Sequence, residues 1–132
     1  MPKIKTSELI GPALDWAAEE AQGYGKRYLE FWNIGGDKRF IYCQVGHSPS
    51  TQWYQGGPVI EREHICVLAP IVRRISAERH AFEVAYWRAM RQSDEDTPCV
   101  HGRGPTPLIA AMRCYVASEL GDEVEVPEEL LT

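Results

Sequence analysis

Residues 106–121 carry the sequence TPLIAAMRCYVASELG, which is the clearest helical pattern in the chain. Thr106 is typical of an N-cap, Pro107 of a first helical position and Gly121 of the residue that ends a helix. The apolar residues of one face recur at helical spacing: Leu108, Met112, Tyr115, Val116 and Leu120. The segment therefore predicts a C-terminal helix that packs on the rest of the fold through one face.

A second helix is predicted near the N-terminus. Pro12 fits its first position with Gly11 as the cap, whereas one longer helix kinked at Pro12 would cost about 3 kcal/mol. Gly23 stands where a C-cap belongs. The face made by Leu14, Ala17, Ala18 and Ala21 is apolar and small, and Asp15, Glu19, Glu20 and Gln22 lie off it. We expect this helix to lie close on a sheet.

Strand patterns fill the middle of the chain. Residues 27–33 and 39–45 flank a Gly-Gly-Asp turn and predict an antiparallel hairpin, and residues 64–69 predict a third strand. Residues 81–90 alternate as a strand does, although a helix from Ser76 onwards is also compatible with the residue types. Residues 59–63 fit either a helical turn or the start of a strand.

The remaining segments complete an α+β prediction. Residues 122–126 predict an edge strand, and residues 92–104 a long loop or an ordered lid. We expect residues 1–132 to form a single domain with a mostly antiparallel sheet of about four strands. That sheet is predicted to pack against the N-terminal and C-terminal helices.

Composition narrows the class of protein. The 132 residues carry a formal net charge of −5, which argues against duplex DNA or RNA as a partner. No apolar run has the length of about 20 residues that spans a bilayer, and the N-terminus has no signal-peptide pattern, so a cytoplasmic location is expected. The four cysteines form no C-x-x-C pair, and neither a metal site nor a cofactor is expected.

The candidate binding site is centred on residues 48–58, SPSTQWYQGGP, interpreted as a loop between two strands. Polar and aromatic side chains next to two glycines are typical of a binding loop on a rigid scaffold. On residue type alone, a structural role of Trp53 as a cover over the core is favoured, and the binding role is the alternative. The candidate ligand-binding residues of this stretch are Ser50, Thr51, Trp53, Gln55, Gly56 and Gly57.

Three further candidates lie at the C-terminal helix. Arg103 precedes it and Thr106 caps it, so that an anion could bind at its free N-terminal amides. Arg113 lies two turns further along the same helix. An aromatic face beside such positive charge favours a small nucleotide-like ligand bound without catalysis, and sequestering a host signal nucleotide would be one use.

Two other classes of function stay open at this point. The same surface could bind a host protein and modulate it, with a homodimer plausible because a small sheet leaves an open edge. A small hydrolase or transferase would use Glu61 and Glu63, or a Cys–His pair such as Cys66 with His64 or Cys99 with His101. No catalytic motif selects these residues, and no catalytic residue is assigned.

Several blocks of the sequence resemble the NinX-like family of small phage and prophage proteins. They are KTSEL (5–9), ALDWA (13–17), SPSTxWxQGGPxIERE (48–63), GPTPLIAAMRC (104–114) and GDEVEVP (121–127). Gln52 departs from the family, which more often has an acidic residue there. The resemblance implies a phage or prophage origin, action in the bacterial cytoplasm and an accessory role. It carries no chemistry that could be transferred to particular residues.

Overall fold

The computed structural model describes residues 2–22, 30–34, 37–41, 48–70, 72–76, 81–84, 86–92 and 94–131. Its helices are α1 (Gly11–Ala21), α2 (Trp53–Arg62) and α3 (Pro107–Leu120), with short 3-10 turns at Thr6–Glu8 and Glu128–Leu131. The described strands are β1 (Lys3–Lys5), β2 (Glu30–Ile34), β3 (Asp37–Ile41), β4 (Cys66–Leu68), β5 (Val72–Ser76), β6 (Ala81–Val84), β7 (Trp87–Arg91), β8 (Val100–Gly104) and β9 (Glu123–Glu125).

Helix α3 lies at the centre of the core, between a sheet and α1. On one side it packs against the antiparallel sheet β4-β7-β8, and on another against α1. Its ends follow the prediction: Thr106 Oγ1 accepts a hydrogen bond from the Ile109 amide, and Gly121 is the C-cap with φ of 95°. Burial extends over most of the helix surface, because Leu108–Met112 and Cys114–Val116 are all buried, while Leu120 is exposed.

Two glycines allow α3 to lie directly on β8. A Cβ on Gly102 would stand 2.5 Å from the Ala110 carbonyl oxygen and 2.5 Å from the Cys114 nitrogen. A Cβ on Gly104 would stand 2.9 Å from the Ala110 nitrogen. Since these neighbours are backbone atoms, any side chain at Gly102 would push the helix off the sheet.

Among the described elements, helix α1 packs mainly on α3, whereas a sheet was expected as its neighbour. It begins at Gly11, whose φ of 60° lies in the left-handed region, and Pro12 follows in the first turn. The expected start of a helix next to Pro12 is therefore present, but the N-cap is Ile10 and not Gly11 as predicted. The prediction that Asp15 and Glu19 lie off the buried face was wrong, because both side chains are 4% exposed. The predicted cap at Gly23 lies outside the described residues.

The two ends of the chain are joined by strands β1 and β9, which pair antiparallel with Ile4 opposite Val124. Sequence analysis predicted β9 but not β1. Thr6 secures the junction: its amide donates to Asp122 O at 2.7 Å and its Oγ1 donates to Gly121 O at 2.7 Å. Thr6 is buried, so the turn that follows β1 is held firmly against the end of α3.

The α+β class is confirmed, and every described strand pair is antiparallel. The predicted hairpin is present as β2 and β3, although its turn at residues 35–36 lies outside the described part. Where one sheet of about four strands was expected, the largest described sheet has three strands, and β1-β9, β2-β3 and β5-β6 form separate pairs. The predicted strand over residues 81–90 is divided into β6, which pairs with β5, and β7, which joins β4 and β8.

Candidate functional site

Residues 48–58 do not form a loop, which corrects the prediction. Residues 48–51 form a turn, and α2 begins at Trp53 and includes Gly56, Gly57 and Pro58. The helix continues through residues 59–62, which settles the choice between a helical turn and a strand in favour of helix. Gly56 is buried, and a Cβ there would meet the Pro49 carbonyl and, at 2.6 Å, Leu108 Cδ2. Gly57 has open space around it.

The polar candidates of this stretch build its own structure. The Ser50 amide donates to Asp15 Oδ1 at 2.9 Å, which ties the turn to α1. Gln55 Oε1 accepts from the Ser48 amide, and Gln55 Nε2 donates to Tyr54 Oη at 2.9 Å. Thr51 Oγ1 makes only a long contact of 3.4 Å to Ser48 O. These contacts explain why the residue types occur here without requiring a ligand.

Trp53 and Tyr54 project from the start of α2. Trp53 is 57% exposed and Tyr54 is 72% exposed. The interpretation of Trp53 as a cover over the core was therefore wrong. Neither aromatic ring lines the cavity described next, so the predicted ligand-binding residues fall into two separate places.

An open groove of about 690 Å³ lies between the first turn of the chain (the 3-10 turn Thr6–Glu8), strand β8 and helix α3. Two of the predicted site residues, Arg103 and Arg113, line it. His101, named above in a possible Cys–His pair, also lines it. The other residues on its wall are ones that sequence analysis did not assign to a site: Lys5, Thr6, Ser7, Tyr86, Gly102, Gly104, Pro105, Ala117, Asp122 and Glu123. Volumes of roughly 300–1,000 Å³ are usual for small-molecule sites.

Arg113 holds the wall of this groove together. Its Nε donates to Leu9 O at 2.8 Å and its Nη1 donates to Arg103 O at 2.9 Å, so that it joins the N-terminal segment to β8. Burial lowers the pKa of Arg113, and none of the described carboxylates lies within ion-pair distance of it. The guanidinium is a partly desolvated positive charge whose remaining N–H groups are available for an anion.

The start of α3 contributes less than predicted. Pro107 has no N–H, the Ile109 amide donates to Thr106 Oγ1 at 3.2 Å and the Ala110 amide donates to Thr106 O at 3.0 Å. Since these donors are used inside the helix cap, the helix N-terminus offers few free amides to an anion. Thr106 is a capping residue and does not line the groove.

Both positively and negatively charged residues line the groove. Lys5, Arg103 and Arg113 are cationic, and Asp122 and Glu123 are anionic, so this wall has a formal charge of +1 on a protein of net charge −5. Lys5 stands opposite Glu123 in the β1–β9 register. The carboxylates of Asp122 and Glu123 are exposed and make no hydrogen bond or ion pair with any residue of the described ranges.

Tyr86 is the aromatic residue that lines the groove, whereas sequence analysis assigned the aromatic contact to Trp53. Tyr86 lies between β6 and β7 and is 64% exposed, whereas Trp87 packs partly buried against the core. Sequence analysis counted Tyr86 on one face of a continuous strand. In the structure β7 begins at Trp87, so Tyr86 precedes this strand instead of lying within it.

Glu63 and Arg91 belong to an ion-pair cluster on another side of α3. Arg91 Nη2 donates to Glu63 Oε2 at 2.7 Å and Arg91 Nη1 donates to Glu119 Oε1 at 2.6 Å. The Arg91 guanidinium also lies over the Tyr115 ring, 5.5 Å from its centre. Glu63 is thus an ion-pair partner of Arg91 and of Arg62, while Glu61 is exposed. The arrangement joins α2 to α3 and does not form the paired carboxylates of an acid–base site.

The described thiols differ in their surroundings. Cys66 and Cys99 are exposed, whereas Cys114 is buried in α3, and burial raises its pKa to about 12. Cys43 lies outside the described residues. Over the described ranges, no three His, Cys, Asp or Glu side chains are grouped so as to hold a metal ion.

The fold and the groove define a small α+β protein with a polar, arginine-lined groove beside the β1–β9 pair. The family model described as Bacteriophage P22 NinX matches residues 5–119, and the chain belongs to that family. The match includes α1, α2, the sheet β4-β7-β8 and nearly all of α3. A search of curated proteins finds no match. None of the helices in the part of the chain that the structure describes combines the length and apolar character needed to cross a bilayer.

Proposed function

We propose that this phage protein binds a small nucleotide-like anion in the groove between the first turn, β8 and α3, without catalysis. The observation that carries the proposal is Arg113: two backbone carbonyls hold it at the groove, and none of the described carboxylates pairs with it. A partly desolvated cation without a counter-ion is unfavourable, and an anionic ligand would offset that cost. Arg103, exposed on the same wall, would add a second charge-assisted contact.

Tyr86 favours a nucleotide over a simple anion such as phosphate. Its ring is largely exposed at the groove, where stacking of a base would contribute about 1–3 kcal/mol. The groove has the volume of a small-molecule site. Compared with the prediction from sequence, the arginines keep their role and the aromatic contact moves from Trp53 to Tyr86.

Sequestration is the use of such a site that fits a phage accessory protein. Binding a host signal nucleotide without converting it would lower the free concentration of that nucleotide in the bacterial cytoplasm. The effect would require a protein concentration above both the ligand concentration and Kd. This role needs the groove alone and no catalytic group.

Thermal unfolding against a panel of mono-, di- and cyclic nucleotides tests the proposal. A ligand at 100 times its Kd adds about 2.7 kcal/mol of stability, which corresponds to a rise in Tm of roughly 10 °C for a domain of this size. The Arg103→Gln variant is the decisive mutant, because Arg103 lines the groove and is exposed. Arg113 is less suitable because it also holds Leu9 and β8 together.

We expect Arg103→Gln to weaken binding about tenfold, the equivalent of 1.4 kcal/mol for a charge-assisted contact. Arg62→Gln is the matched control, since it removes the same charge from an exposed position on α2 that does not line the groove. Equal affinities of wild type and Arg103→Gln, or the absence of a Tm shift with every nucleotide, would contradict the proposal.

A host protein is the second candidate partner, favoured by the exposure of Trp53 and Tyr54. Aromatic residues are enriched at interface hot spots, and this pair lies side by side at the start of α2. The test is capture from host lysate with wild type and with Trp53→Ala. Retention of one host protein by wild type only, together with no nucleotide shift, would favour this second function.

A further inference from the structure

We infer that the groove selects ligands with one negative charge and a free ribose hydroxyl, and that Asp122 and Glu123 impose this selection. The inference rests on the proposed function and goes further by naming the charge class of the ligand. It starts from the placement of the two carboxylates on the same wall as two arginines.

The acidic part of the wall is held in place by the backbone. The Thr6 amide donates to Asp122 O, Thr6 Oγ1 donates to Gly121 O, and β9 pairs with β1 immediately afterwards. Thr6 is buried, so this corner cannot move away from the groove without breaking the junction of the two chain ends. The backbone therefore keeps Asp122 and Glu123 at the groove, where both side chains are exposed.

These carboxylates act on a ligand in two opposite ways. They accept hydrogen bonds, so a hydroxyl or amine of the ligand gains a partner there. They also repel additional negative charge, and two carboxylates beside three cations leave a formal charge of only +1. A phosphodiester with one negative charge balances this wall, whereas a triphosphate adds charges that the wall cannot neutralise.

The chemical class that fits is a cyclic mononucleotide. Its single phosphodiester charge would pair with Arg113 and Arg103, its base would stack on Tyr86, and its 2′-hydroxyl would donate to Asp122 or Glu123. An uncyclised monophosphate carries more charge at neutral pH and is expected to bind less tightly. A nucleoside triphosphate is expected to bind weakest of the three.

The experiment is isothermal titration calorimetry of the full chain with 3′,5′-cyclic AMP, AMP and ATP, and with the matching guanine series. For wild type we expect the cyclic nucleotide to bind at least ten times more tightly than the triphosphate. The Asp122→Asn, Glu123→Gln double variant removes both negative charges. Both side chains are exposed, and the contacts from Asp122 to Thr6 use its backbone, so the variant is expected to fold, which circular dichroism checks.

In the double variant we expect the affinity for the triphosphate to rise at least tenfold, which removes the preference for the cyclic nucleotide. The 2′-deoxy analogue of cyclic AMP tests the hydroxyl contact separately. It should bind about tenfold more weakly than cyclic AMP to wild type, and equally well to the double variant. If the carboxylates had only a structural role, the ratio of the affinities for cyclic AMP and its 2′-deoxy analogue would be the same in wild type and the double variant.

The outcomes separate this inference from the proposed function. Binding of nucleotides with the triphosphate tightest in wild type overturns the charge selection and leaves the nucleotide site standing. The charge selection is also overturned if wild type and the double variant show the same ratio of cyclic-nucleotide affinity to triphosphate affinity. If none of the six nucleotides binds to wild type, the proposed function and this inference fall together.

Discussion

Replacing Gly102 by alanine is expected to destabilise the protein strongly, because one methyl group would separate β8 from α3. The new Cβ would stand 2.5 Å from Ala110 O, 2.5 Å from Cys114 N and 2.9 Å from Cys114 Cα. Carbon atoms at van der Waals contact are roughly 3.5–4.0 Å apart, so the helix would have to move outward by about 1 Å. All three neighbouring atoms belong to the backbone, so no side-chain rotation can relieve the overlap.

The cost follows from where the helix lies. Ala110 and Cys114 are fully buried, and so is Ala89 on the adjacent strand, so an outward movement of α3 disturbs the centre of the core. Overpacking of a core costs about 1–3 kcal/mol, and backbone neighbours place Gly102→Ala at the upper end, about 3 kcal/mol. With an m-value of about 2 kcal/mol/M, the urea midpoint should fall by roughly 1.5 M.

Gly57→Ala is the matched control. Gly57 lies inside α2 with nothing within 4 Å of an added Cβ, so the same chemical change meets no obstacle there. Alanine is a better helix former than glycine by about 0.5–1 kcal/mol, and the urea midpoint should rise. Urea unfolding of the three proteins, followed by circular dichroism, measures both effects. A Gly102→Ala midpoint within error of wild type would refute the close-contact argument.

Three further expectations concern single side chains. Arg91→Leu should lower the free energy of unfolding by about 2 kcal/mol in urea titrations, because Glu119 loses its ion-pair partner and Glu63 keeps only Arg62. Arg91→Lys should recover only part of the loss. Equal stability of wild type and Arg91→Leu would contradict this role. His64 follows α2 with a φ of 53°, a conformation that glycine adopts without strain. His64→Gly should therefore raise the free energy of unfolding by about 0.5–1 kcal/mol, measured as a higher Tm. A lower Tm would show that the imidazole makes a compensating contact. Burial raises the pKa of Cys114 to about 12, so this thiol should stay unmodified by a thiol reagent at pH 8, while the exposed Cys66 and Cys99 react. Peptide mapping by mass spectrometry measures the labelling of each cysteine. Rapid labelling of Cys114 in the folded protein would contradict its burial.

Local chemistry made several elements predictable from sequence. The N-cap at Thr106, the C-cap at Gly121 and the start of a helix at Gly11 and Pro12 depend on hydrogen bonds and dihedral angles within a few residues. The same signals misled at residues 48–58. Two glycines and a proline disfavour helix by propensity, yet α2 includes all three. The close approach of Pro49 and Leu108 accounts for glycine at position 56.

The candidate site was predictable only in part. Arg103 and Arg113 were assigned from their position before and within the last helix, and both line the groove. Ser50, Gln55 and Gly56 have structural contacts instead, and Trp53 lies outside the groove lining. Residue type indicates what a side chain can do, but not whether another part of the chain already uses it.

The sequence by itself determined the α+β class, the position of the central helix and the membership in the phage family, because these depend on short-range patterns and on matched blocks of residues. Tertiary structure alone decided where the groove lies. Arg113 donates to the carbonyl of Leu9, 104 residues away in the chain, and β1 brings Lys5 opposite Glu123. Contacts of that range follow from the packing of α3 on a strand with glycines at its interface, and no local pattern encodes which distant groups will meet there.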